Sequence, residues 1–217
     1  MGIGKAIADA LEAAGAIVHR IDKEQCDLTN STAVNSYIGA LGPIDILVNC
    51  AGGVCVQVHH PIEEITDEMW ESVVDANLKT AFYCTRAVAP GMKKKGWGRI
   101  VNISSGAGRS VSLTGIQAYT SAKAGQIGFS RQMAHELGPY GITVNNIAPG
   151  FVLSNPTSIA QWESYGADGQ KAILDRVATR RLGKPEDIAN GVMFFISENS
   201  GWISGQTISI DGGSAMF

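Results

Sequence analysis

A chain of 217 residues, 45% hydrophobic and 17% charged, can build one substantial core and is too apolar for a disordered segment. Its formal charge of −3, from 17 basic and 20 acidic side chains well interspersed, argues against a polyanionic partner such as nucleic acid. No apolar run approaches the ~18 residues that a membrane span requires.

The opening segment, with Lys5 and Asp9 inside an amphipathic pattern, reads as a helix over 3–14 rather than a secretion signal, and Gly15 closes it. AIVHRID (16–22) reads as a strand, and CDLTN (26–30) as a second short strand and turn in which Thr29 or Asn30 caps a helix over 31–41. IDILVNCAG (44–52) reads as a buried strand running into a glycine turn. A long helix is predicted over roughly 67–95, ending in Lys93-Lys94-Lys95 as a solvated terminus. GRIVNISS (98–105) is the next strand and 117–138 the next helix. ITVNNIAPG (142–150) is a strand, 155–179 holds one or two helices, 184–197 is a helix with Pro185 in its first turn, and GQTISIDGG (205–213) is the last strand.

This alternation predicts an α/β protein, a doubly wound and mostly parallel sheet covered by helices on both faces, as one domain over 1–217. Ligands of such sheets bind beyond the carboxyl ends of the strands, where NCAG, NISS and APG fall. Cys26, Cys50, Cys55 and Cys84 show no paired CxxC spacing and read as reduced thiols of a cytoplasmic protein. His19, His59, His60 and His135 form no HExxH pattern, so no metal site is predicted.

Tyr119 and Lys123 stand one turn apart on a predicted helix face, where an ammonium favours the ionised phenol and lowers its pKa. Taken alone, a surface i,i+4 pair explains them equally well. Ser105, however, closes VNISS fourteen residues before Tyr119, and Asn77 sits in a helix interior, a place an asparagine occupies at a cost.

In this order, the GIG at Gly2–Gly4, NCAG, the helical Asn77, Ser105 with YTSAK, and APG resemble the short-chain dehydrogenase/reductase family along the whole chain. The resemblance implies a Rossmann-like domain and hydride exchange between a nicotinamide cofactor and a secondary alcohol or ketone. It makes Tyr119 the acid/base, Lys123 the group that lowers its pKa and holds the nicotinamide ribose, Ser105 the hydrogen-bond partner of the substrate oxygen, and Asn77 the keeper of a proton relay. Strand alternation favours Ser105 over its neighbour Ser104.

It further implies cofactor contacts at Gly2, Ile3 and Gly4 in the glycine turn, at Asp27 and Leu28 against adenine, and at Asn49, Ala51 and Gly52 along the adenine ribose. Tyr119, Lys123, Pro149, Gly150, Val152 and Ser154 follow near the nicotinamide and phosphates. Asp22, at the end of its strand, would accept both ribose hydroxyls of NAD and repel the extra phosphate of NADP, with Arg20 placed to pair with it; NAD is therefore expected over NADP. Each aspartate also has a plain reading as a turn residue.

The front of the pattern departs from the family. Only the last two glycines of the turn are present, and the strand that would lie centrally, between the one ending in Asp22 and the one ending in NCAG, is missing. Three expectations follow: the natural start lies further upstream, the sheet has rearranged, or a partner or swapped segment fills the gap. The rival to an oxidoreductase is thus an N-terminally truncated, non-catalytic relative that binds cofactor weakly or not at all. Residues 151–181 occupy the place of the family's variable substrate lid, with Trp162 and Tyr165 placed to cover a substrate, and Arg109, Gln117, His59 and His60 lie on loops near the expected pocket mouth. The long helices carry apolar stripes that predict a homotetramer or a homodimer, with a small-molecule substrate and no membrane or nucleic-acid partner.

Overall fold

The structure, a computed structural model, describes residues 2–55, 60–112 and 114–216; His59 of the expected pocket mouth lies outside the described residues. Helix α1 (Ile3–Ala13) buries Ile7, Ala8 and Leu11 on one face, the spacing its Ala-rich sequence supplies. Helix α2 (Ser31–Leu41) starts where the Asn30 side chain accepts from the Thr32 and Ala33 amides.

Strands β1 (Ile46–Asn49), β2 (Gly98–Ile103), β3 (Ile142–Pro149) and β4 (Thr207–Ile210) form one parallel sheet in the order β1-β2-β3-β4. Between them run α3 (Asp67–Val74), α4 (Thr80–Lys95), the short α5 (Gly106–Arg109), α6 (Gln117–Leu137), α7 (Pro156–Ser164), α8 (Gly166–Arg176) and α9 (Pro185–Ile196). Among the described residues no helix is long and apolar enough to cross a membrane.

The sheet separates two apolar cores. Val101, Ile103 and Ile147 face α1 and α9, against Ile7, Leu11, Ile188 and Phe195. Ile100, Ile142 and Val144 face the other way, against Val34, Ile38, Val88 and Met92. β2 and β3 are buried along their whole length, as central parallel strands must be, whereas Ile46, Leu47 and Val48 of β1 are only half-buried. One row across the sheet is polar: Asn49, Asn102, Asn146 and Thr207 are register partners. Asn49 donates to Asn102 at 2.7 Å, and Asn102 to the Ser130 hydroxyl of α6 at 2.7 Å. Ser130 in turn bonds Asn146 at 2.8 Å, and Asn146 donates to Thr207 at 3.1 Å. Each buried amide is thereby satisfied, and the row pins the register of all four strands.

Three expected elements are corrected. Residues 16–22 form no regular element and join no ladder, because among the described residues no strand lies between them and β1 to pair with either. Residues 26–30 form a turn, not a strand: the Asp27 carboxylate accepts from both the amide and the hydroxyl of Thr29. The helix predicted over 67–95 is interrupted rather than uniform, with a π-helical turn at Asp75–Lys79 between α3 and α4. Lys93-Lys94-Lys95 do end α4, where Lys95 pairs with Asp45 and Lys93 lies over the Tyr140 ring.

Candidate active site

Glycine turns, strand ends and the start of α6 converge at the carboxyl edge of the sheet. β2 ends at Ile103, and the next two residues diverge: the buried Ser104 hydroxyl donates to the Lys123 carbonyl at 3.0 Å, while the Ser105 hydroxyl hydrogen-bonds the Tyr119 phenol. Alternation favours Ser105, and the geometry gives the two serines these separate partners. Ser105 also caps α5, accepting from the Ala107 amide at 3.2 Å.

Lys123 lies one turn beyond Tyr119, its ammonium 5.7 Å from the phenol ring centroid and donating to the Ile103 carbonyl at 2.7 Å. Gly108 makes this packing possible, since a Cβ there would lie 2.7 Å from the Lys123 backbone. Only 4% of Lys123 is exposed, and burial pulls its pKa down to about 8. The effect expected on Tyr119 is corrected by this arrangement. Burial pushes the phenol's pKa up, the Ser105 hydrogen bond offsets part of that, and the ammonium is directed at Ile103 rather than at the phenol oxygen.

Asn77 occupies the π turn and is wholly buried. Its amide nitrogen donates to the Val73 carbonyl at 2.7 Å and to the Gly53 carbonyl at 2.8 Å, and its oxygen accepts from the Gly53 amide at 3.0 Å. The inserted residue turns this side chain out of the helical ladder and onto the loop after β1. At Gly52, with φ of +134°, a Cβ would lie 2.2 Å from the Asn77 oxygen, so only glycine fits. Asn77 therefore fixes the Gly52–Gly53 backbone.

The expected cofactor residues divide. Gly2 (φ +96°) opens α1, and a Cβ on it would lie 2.9 Å from the Ser154 carbonyl; Gly4 lies over Cys50, with 3.6 Å from its Cβ position to the thiol sulfur. The start of α1, the end of β1 and the segment after β3 therefore meet in one place. Pro149 ends β3, the Gly150 amide donates to the Ile210 carbonyl at 3.1 Å, and the Ser154 amide donates to Ser158 at 2.9 Å. Ala51 and Gly52 are exposed beyond β1.

Ile3, Leu28 and Val152 present apolar side chains to the cores, Val152 also bridging to Gly183. The Asn49 side chain is committed to Asn102 and Thr85. Asp27 is engaged by Thr29, which holds its carboxyl below the usual range. Asp22 is exposed and accepts from the Lys23 amide at 2.7 Å. Arg20 does not pair with it as expected: its guanidinium turns to Asp9 and Glu12 of α1, at 2.8 and 2.7 Å, where two carboxylates outcompete one.

Arg109 is drawn to the Ser209 hydroxyl on β4 at 2.8 Å, and Gln117, the first residue of α6, donates to the His60 carbonyl at 2.9 Å. Cys50 reads as packing in the sequence, yet its thiol is close enough to interact electrostatically with both Lys123 and Tyr119, and burial pushes its pKa up. Its place between Asn49 and Ala51 is the available signal.

Small residues at Gly2, Gly4 and Gly52, with backbone approaching closely from three sides, form a cradle that side chains would fill, and this fits a flat dinucleotide lying across the strand ends.

The fold and the site define a Rossmann-type oxidoreductase framework. Residues 19–215 match the family model described as enoyl-(acyl carrier protein) reductase, and the chain belongs to the short-chain dehydrogenase/reductase family. It is 37% identical to the (2S)-((R)-hydroxy(phenyl)methyl)succinyl-CoA dehydrogenase subunit BbsD of Thauera aromatica, over 98% of this chain and 82% of that protein. It is 34% identical to the 3-oxoacyl-(acyl-carrier-protein) reductase FabG of Escherichia coli (strain K12), over 99% of this chain and 93% of that one. A short-chain type dehydrogenase/reductase from Mycobacterium ulcerans superposes with a TM-score of 0.88 at 29% identity, covering 98% of this chain and 86% of that chain.

Proposed function

We propose that the chain interconverts a secondary alcohol and a ketone with a nicotinamide cofactor, NAD in preference to NADP. The observation that carries this reading is the hydrogen bond between Ser105 and Tyr119 with Lys123 buried one turn away, at the mouth of a glycine-lined cradle. When bound, the cofactor supplies or accepts hydride at the substrate carbon. Tyr119 gives a proton to the carbonyl oxygen in reduction and takes it back in oxidation, and Ser105 holds that oxygen. Lys123 supplies positive charge beneath the phenol and stands ready to bond ribose hydroxyls. Asn77 acts as a positioning residue through Gly53.

Gly2, Gly4, Ala51 and Gly52 would hold the dinucleotide, with Pro149, Gly150 and Ser154 toward the nicotinamide end. The preference for NAD rests on Asp22, whose carboxylate Arg20 leaves unneutralised. Residues 151–181 serve as the substrate lid, stiffened by Phe151, Trp162 and Tyr165 with ring centroids 6.0 to 6.5 Å apart. The names of the two relatives, one acting on a CoA thioester and one on a 3-oxoacyl carrier-protein thioester, put thioester-linked 3-oxoacyl groups first in a substrate panel. Phe82 on α4 and Phe194 on α9, both outward-facing, support assembly into a homodimer or homotetramer.

The test is NADH binding to the 217-residue chain, followed by energy transfer from its tryptophans. Saturable binding that beats NADPH and weakens on Asp22→Ala supports the reading; a folded chain that binds neither supports the non-catalytic alternative.

A further inference from the structure

A cavity of about 440 Å³ lies between α5, the middle of α6 and the start of β4. Gly108 and Arg109 reach it from α5, Ile127 and Arg131 from α6, and Gln206 and Thr207 from the last strand and the residue before it. None of these belongs to the cradle at Gly2, Gly4 and Gly52. The two places nevertheless share supports, because Ser105 caps α5 and Gly108 packs on the Lys123 backbone.

Among the described residues, two guanidinium groups border this space and no carboxylate does. Elsewhere in the chain arginines face acids: Arg20 meets Asp9 and Glu12, Arg180 meets Asp175, and Arg181 meets Asp187. Here Arg109 donates to the neutral Ser209 hydroxyl at 2.8 Å, which holds the guanidinium against β4 without cancelling its charge. Arg131 joins no ion pair among the described residues, and Glu136, the acid of α6, lies 3.8 Å from Lys93 instead. The Thr207 hydroxyl accepts from Asn146 at 3.1 Å, which leaves its own proton to donate. Two cations bordering one cavity repel each other, and an anion between them replaces that repulsion with attraction on both sides.

We propose that this cavity binds a phosphoryl group, with the planar forks of Arg109 and Arg131 on its oxygens and the Thr207 hydroxyl donating to it. The volume is that of a small-molecule site, so the phosphoryl group is either the free ion or the end of a small monoester whose remainder lies against Ile127. An occupied site braces the contact between α5 and α6, the two elements that carry Ser105, Tyr119 and Lys123. The site stands whether or not the chain is an oxidoreductase.

The test is isothermal titration calorimetry of the 217-residue chain with inorganic phosphate and with glycerol 3-phosphate, at fixed ionic strength in a phosphate-free buffer. The expected result is saturable binding at one site per chain, with a Kd of about 1 mM or tighter. Arg131→Gln, an exposed change that leaves the far-UV circular dichroism unaltered, weakens it by about tenfold or more. Lys94→Gln removes a positive charge from the end of α4 and leaves binding unchanged. Tighter binding of phosphate identifies the free ion as the ligand and tighter binding of glycerol 3-phosphate a monoester; either supports the site. A folded chain that binds neither probe saturably overturns the proposal. Equal weakening by Arg131→Gln and Lys94→Gln marks general charge attraction and also overturns it. Displacement of the bound probe by saturating NADH assigns it to the cofactor cradle and overturns it as well.

Discussion

Replacing Lys123 by methionine keeps an unbranched stem of similar length and removes the ammonium. Lys123 is 4% exposed and its pKa is held at about 8, against 10.5 for an unhindered lysine. Between those two values the unfolded chain binds a proton that the folded chain does not, so the lysine's contribution makes the wild type gain stability as pH rises through the window. Below pH 8 both states are protonated and the full cost of burying the charge applies. At 1.36 kcal/mol per pKa unit, a gap of about 2.5 units corresponds to about 3 kcal/mol.

The methionine variant feels none of this. The unfolding free energy of the wild type minus that of Lys123→Met should therefore rise by about 2–3 kcal/mol between pH 7 and pH 10. Cys84, raised by burial to about 11, acts in the opposite sense but equally in both proteins and leaves the difference alone; Cys50, which interacts with Lys123, is replaced by alanine in both proteins so that its titration does not enter. The lost hydrogen bond to Ile103 contributes about 1 kcal/mol at every pH. Urea unfolding followed by far-UV circular dichroism at pH 7, 8, 9 and 10 reads this directly. A difference flat across that range would mean that Lys123 is not held in an apolar setting, and the electrostatic description of the site would fail with it.

Other substitutions probe the remaining parts. Tyr119→Phe should keep the fold, by circular dichroism, and lower the turnover of any ketone substrate by roughly 10²–10⁴-fold in a spectrophotometric assay. Gly52→Ala places a methyl against the Asn77 oxygen at a backbone angle suited to glycine, and should lower the unfolding free energy in urea by about 3 kcal/mol. Asn102→Leu strands the amide of Asn49 and the hydroxyl of Ser130 in the core, and should cost about 2–4 kcal/mol in the same experiment.

How much of this was legible in the sequence depended on whether the information was local. The helices over 31–41 and 185–196 carry their own start signals, Asn30 in one and Pro185 with Asp187 in the other, and β2 and β3 are apolar enough to be strands in any setting. Ser105, Tyr119 and Lys123 could be read together because a strand end and a helix start lie close wherever a parallel sheet turns over. Residues 16–22 have strand composition, but a strand exists only through its neighbour, and no residue within the segment reports whether that neighbour is present.

The direction of the Tyr119 shift failed for a similar reason. Spacing fixes that Lys123 is one turn away, but the Ile103 carbonyl that captures its ammonium, and the burial that depresses its charge, come from packing. Arg20 likewise looked closest to Asp22 along the chain, while the return of the chain after α1 brought it to Asp9 and Glu12. The polar row through Asn49, Asn102 and Asn146 was visible only as three strands that each contain asparagine, and register was needed to join them.

The most direct measurement of the central claim is NADH oxidation, followed by its near-ultraviolet absorbance, by the purified chain against 3-oxoacyl thioesters and simple ketones, run beside Tyr119→Phe with NADH binding checked in both. Turnover that disappears in the variant while NADH binding persists is the predicted result. Turnover that survives loss of the phenol, or NADH bound tightly by the wild type with no ketone or thioester ever reduced, would contradict it.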